Sequence, residues 1–80
     1  MTRIVSKSKY VATILFENES GSRTVCLGSR VKKGNLIFQL KYLNLMLKFY
    51  APFDCIIDDI YIGNKSIVQY GTRIMAIVSI

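Results

Sequence analysis

A ten-residue pattern occurs twice in this 80-residue chain, and it limits the folds available. Val31-Lys32-Lys33-Gly34-Asn35-Leu36-Ile37-Phe38-Gln39-Leu40 matches Val68-Gln69-Tyr70-Gly71-Thr72-Arg73-Ile74-Met75-Ala76-Ile77. Val31, Gly34, Ile37, Phe38 and Leu40 pair with Val68, Gly71, Ile74, Met75 and Ile77. Each copy is a valine, two residues, a glycine and then an apolar run. Glycine takes positive φ at low cost and so closes a turn ahead of a strand. Two such halves imply a pseudo-twofold fold in which each covers the apolar face of the other.

The rest of the chain carries the same β signature. Strands are expected over Tyr10 to Phe16, Thr24 to Leu27, Leu36 to Leu40, Met46 to Tyr50, Cys55 to Ile62 and Ile74 to Ser79. Turn clusters fall at Glu17 to Ser22, Gly28-Ser29, Tyr42-Leu43-Asn44-Leu45 and Gly63 to Ser66. Short strands with regular turn signals predict a sandwich or small barrel. The best helical rival, Leu36 to Phe49, is apolar at nearly every angle. Such a helix needs more protein around it than one small domain provides. Residues 1–8 read as an N-terminal extension and 9–80 as the domain.

Composition excludes several chemistries. The chain has no histidine, which removes the usual general base and the commonest metal ligand. Cys26 and Cys55 lie far apart and form no CxxC pair, so no metal site is expected. The plain reading is two small buried thiols in a reducing compartment, and a Cys26–Cys55 disulfide stays open at this point. Asp58 and Asp59 are neighbours on a predicted strand and should face opposite ways, which argues against a shared acid–base pair. With no nucleophile set or phosphate loop in view, no catalytic residue is expected and the chain reads as a non-enzyme.

The net charge of +6 suits an anionic partner such as RNA, an acidic protein or an anionic lipid surface. It equally suits a solvated surface in a chain from an AT-rich genome. No run of about 18 apolar residues predicts a transmembrane segment. The expected location is intracellular: a bacterial cytoplasm, a plastid or another organelle. Homo-oligomerisation is left open by the sequence.

The window around Asn44 adds a family resemblance. From about Lys9 to Ile80 the chain resembles the biotinyl/lipoyl attachment domains, and within them the biotin carboxyl carrier protein of acetyl-CoA carboxylase. In that family the glycine of a Val-x-x-Gly turn precedes the modified lysine by ten residues, as Gly34 precedes Asn44. The alanine of an Ala-Pro pair follows seven residues on, as Ala51 does. Gly63, Val68, Gly71 and Met75 fall where the family has its final turn and strand, and Cys55 replaces a glycine. The Glu17 to Ser22 cluster lengthens the segment where the biotin carboxyl carrier protein inserts a thumb, although the thumb's Ser-Pro residues are absent. The resemblance implies an all-β, flattened barrel-sandwich hybrid of two four-stranded antiparallel sheets with a pseudo-twofold axis.

The attachment hairpin departs from the family pattern. The family's Glu-Ala-Met-Lys-Met-Met is Lys41-Tyr42-Leu43-Asn44-Leu45-Met46 here, and only the last methionine survives. A biotin ligase acylates a lysine amine at the tip, and the Asn44 amide is not nucleophilic and has no flexible stem. Lys41 lies three residues early and Lys48 lies on the return strand. Asn tolerates left-handed backbone, so its plain role is that of a turn residue, and a specific partner contact is the alternative. Biotin is therefore not expected.

Two functions follow. One is a non-biotinylated, carrier-like scaffold or regulatory subunit of an acetyl-CoA carboxylase-type complex in fatty acid synthesis. Its partner-binding tip would be Leu43, Leu45 and Met46, rimmed by Lys41 and Lys48. The other is the same fold repurposed as a basic structural subunit of a larger assembly, such as a ribonucleoprotein or a membrane complex.

Overall fold

Apolar residues in short alternating runs build eight strands, and these pair into two sheets. The computed structural model describes residues 2–80. Its strands are β1 (Arg3–Lys7), β2 (Ala12–Leu15), β3 (Arg30–Val31), β4 (Leu36–Tyr42), β5 (Leu45–Tyr50), β6 (Cys55–Ile60), β7 (Ile67–Val68) and β8 (Arg73–Ser79). One four-stranded sheet has the order β1-β8-β6-β3 and the other β5-β4-β2-β7. All pairings are antiparallel. Extents of 35 × 28 × 18 Å make the molecule flat. The flattened, all-β sandwich expected from the sequence is the fold that forms, and the described residues contain no helix.

The core draws on both repeats. Ile14, Phe16, Leu40, Ile57, Val68, Ile74 and Met75 are fully buried. Phe38 stacks on Phe49 at 4.6 Å and meets Phe16 edge-on at 6.3 Å, which holds the β4–β5 hairpin to the centre of the molecule. The buried Gln39 amide is satisfied by donating to the Glu17 carbonyl at 2.6 Å. The buried Ser8 hydroxyl donates to the Tyr10 carbonyl at 2.6 Å.

The pseudo-twofold reaches down to single hydrogen bonds. Gly34 N–H donates to Ala51 O, and Ala51 N–H to Asn35 O, both at 2.9 Å. In the other half Gly71 N–H donates to Ser8 O at 2.7 Å, and Ser8 N–H to Thr72 O at 2.9 Å. The two glycines have φ of 87° and 86°. The hairpin register Leu40↔Leu47, Phe38↔Phe49 and Leu36↔Tyr50 repeats as Ile77↔Ile4, Met75↔Ser6 and Arg73↔Lys7, with an irregularity in the same place. The mates of Tyr42 and Leu45 are thus Ser79 and Thr2, which are joined by Ser79 N–H to Thr2 O at 2.8 Å. The hairpin turn joins Tyr42 to Leu45 in one half, where the other half has the hydrogen bond between Ser79 and Thr2.

Three sequence expectations are corrected. Residues 3–7 of the supposed extension are the edge strand β1, whose pairing with β8 fills the place that β5 fills beside β4. Thr24 to Leu27 is not a strand: Val25 is buried in the core, and the Thr24 hydroxyl donates to the Ile37 carbonyl. The two-residue strands β3 and β7 occupy the valine ends of the repeat. Cys26 is exposed and Cys55 buried, so they are not a matched buried pair, and both thiols are free. Burial pushes the Cys55 thiol pKa up, with a smaller contribution from the Asp54 charge.

A Cβ placed on Gly34 or Gly71 meets nothing within 4 Å, so the cost of alanine at either is set by the left-handed backbone alone. Gly34→Ala and Gly71→Ala should each lower stability by about 1 kcal/mol, equally at the two sites. Urea unfolding measures both, and a large loss at only one site would show that the two turns are not equivalent.

Candidate functional site

The β4–β5 hairpin forms because two apolar strands flank a two-residue turn. Tyr42 pairs with Leu45, leaving Leu43 and Asn44 at the apex. Two-residue hairpin turns need positive φ at the first central residue at least. Here Leu43 supplies it, with φ 54°, and Asn44 does not. This corrects the expectation that Asn44 takes the left-handed angle. The turn has the φ pattern of type II′, which favours glycine at the position Leu43 holds.

Pairing fixes which way each tip residue faces. Tyr42 and Leu45 continue the face of Leu40 and Leu47, whereas Lys41 and Met46 share the opposite face with Gln39 and Lys48. Leu43 is 77% exposed, Leu45 59% and Met46 43%, so the apolar residues wrap the end of the hairpin instead of forming one flat patch. Tyr42 is braced by Tyr10, with ring centroids 5.9 Å apart. Tyr10 has no sequence-local signal tying it to the tip, since the link depends on β2 pairing with β4.

Lys48 does not rim the tip as expected. Its ammonium pairs with the Glu19 carboxylate, and this hydrogen bond is the main cause that raises the Lys48 pKa and lowers that of Glu19. Glu19 sits on the loop closed by the Glu17–Arg23 bridge. The loop is held from several sides. Asn64 Nδ2 donates to Glu17 Oε1 at 2.7 Å, Gln39 reaches the Glu17 carbonyl, and the Arg23 guanidinium lies 5.4 Å from the Phe16 ring centre. Asn18 Oδ1 accepts from Ser20 N–H and Ser22 N–H, both at 3.0 Å, which shapes the turn. This loop reaches β5 at Lys48.

Tested against a biotin attachment site, these residues do not fit. The apex carries the Asn44 amide and no amine. The Lys48 ammonium is occupied by Glu19, and Lys41 lies two residues before the turn on β4. Asp58 and Asp59 take separate partners: Asp58 accepts from Arg3 Nε at 2.8 Å, and Asp59 Oδ1 from Ile60 N–H at 2.8 Å. No helix of the described residues is long and apolar enough to cross a membrane.

An exposed leucine at φ 54° costs stability without contributing packing. Leu43→Gly should therefore stabilise the domain by about 1 kcal/mol, raising Tm by about 5 °C. A thermal melt that falls would show that the Leu43 side chain makes a stabilising contact.

The chain matches no protein-family model and no curated protein. Eight chains of solved structures match it. One is a single-chain, multi-domain long-chain acyl-CoA carboxylase, with a TM-score of 0.79 at 10% sequence identity. The match covers 98% of this chain but 7% of that protein, so this chain corresponds to a small part of it. At this identity the likeness establishes the fold, and the chain is similar to one portion of an acyl-CoA carboxylase.

Proposed function

We propose that this chain is a carrier-like domain that carries no biotin and works as a scaffold or regulatory subunit of an acetyl-CoA carboxylase-type complex. The observation that carries this reading is a hairpin tip at the end of a two-sheet frame, with exposed Leu43, Leu45 and Met46 around an apex that lacks an amine. The structural likeness to part of an acyl-CoA carboxylase supports the context.

The physical role follows from what the tip retains. Its apolar residues keep their side chains in water in the free domain, so a partner that covers them gains hydrophobic free energy, roughly 2 kcal/mol for each leucine buried. With no group to acylate, the tip occupies a docking position without delivering chemistry. In this role the domain competes with an active carrier for one surface, or holds the assembly together, and has no catalytic residue of its own.

Immobilised domain tested against purified acetyl-CoA carboxylase subunits by surface binding decides the matter. Binding is expected, and Leu43→Ser combined with Leu45→Ser should weaken it by at least about 10-fold. Both positions are exposed, so the double variant should keep its fold by circular dichroism. Subunits that ignore the domain, or bind the double variant equally well, would overturn the proposal.

A further inference from the structure

Where the first half of the molecule sets Leu36 opposite Tyr50, the second half sets Arg73 opposite Lys7. Like charges directly across a strand pair are destabilising, and neither residue makes an ion pair with a carboxylate among the described residues. Lys7 also lines a groove with Lys9, Tyr10, Leu47, Lys48 and Phe49. The groove has a volume of about 300 Å³. No acidic side chain lines it. Lys48 already has Glu19, while Lys7 and Lys9 have no carboxylate partner among the described residues. Lys41, beside Tyr42, likewise has none.

The walls carry further information. Leu47 and Phe49 give the groove an apolar floor, and Tyr10 stands over it, steadied by Tyr42. Tyr10 remains 41% exposed, so its ring offers a surface for stacking. An acidic peptide would satisfy the cations but leave the aromatic wall without a matching flat group. A nucleic-acid duplex would keep its bases inside the stack. A single strand satisfies both features at once, with phosphates on the cations and a base against the ring.

We infer that the groove between β1 and β5 binds single-stranded nucleic acid, with Lys7, Lys9 and Arg73 on successive phosphates and Tyr10 stacked on a base. This surface is separate from the apolar apex and does not depend on the carboxylase reading. The sequence is not read, because no side-chain amide or carboxylate lines the groove to address base edges.

Fluorescence anisotropy with a short labelled oligouridylate tests this. Binding should weaken with salt at a log–log slope of about −2, as three phosphate contacts to a single strand require. Lys7→Glu with Lys9→Glu should cost more than about 10-fold. Tyr10→Ala should cost about 10-fold, and Tyr10→Phe, which keeps the ring and guards against a folding defect, should bind like wild type. Arg30→Ser with Lys32→Ser removes two charges outside the groove and should change affinity by less than about 2-fold. The inference is overturned by no binding at low salt, by equal losses in the Arg30/Lys32 variant, or by binding to polyglutamate or phosphatidylserine vesicles in place of the oligonucleotide.

Discussion

Each half of this molecule is closed by backbone hydrogen bonds between the glycine turn that opens one strand and the segment that follows its partner strand, and the remaining structure depends on that closure. Gly34 and Asn35 bond to Ala51, and Gly71 and Thr72 bond to Ser8. These bonds position β4 beside β5 and β8 beside β1, and so bring the repeat's apolar residues into one core. The left-handed angle at each glycine is what lets the chain reverse there. With the two turns fixed, the hairpin apex is held at the end of a packed strand pair with Leu43, Leu45 and Met46 exposed.

Much of this is readable from residues. The repeat identified both glycine turns, both valine ends and the strands β4 and β8, because their apolar residues are continuous and bounded by turn chemistry. β1 is not legible in the sequence because Arg3 to Lys7 alternates weakly and gains its apolar setting only from β8. The true repeat is also longer than its sequence trace. Gly28 at φ 83° corresponds to Lys65 at φ 67°, with matching bonds Gly28 N–H to Ile57 O and Lys65 N–H to Ile14 O, both at 2.8 Å. A lysine in a left-handed position hides that equivalence, since the sequence rule looks for glycine there.

The candidate site shows the same division. That the hairpin tip lacks an amine and exposes apolar residues could be read from the order of residues alone. The left-handed angle on Leu43, the capture of Lys48 by Glu19 and the bracing of Tyr42 by Tyr10 could not, because each depends on where distant segments meet. The loop bearing Glu19 makes this plain: 29 residues separate the two partners of its ion pair, and no local pattern links them. The result is a hairpin whose apex carries no cation, with Lys48 held by the Glu19 loop and Lys7 and Lys9 lining the β1–β5 groove.

The central proposal is that this two-sheet fold presents a hairpin apex that accepts no biotin. Intact-mass spectrometry after incubation with biotin, ATP and a biotin ligase tests it most directly. The wild-type chain should keep its mass, and Asn44→Lys, which restores an amine at the apex, should gain a biotin at that position. A stoichiometric adduct on the wild-type chain, mapped to Lys41 or Lys48, would contradict the account.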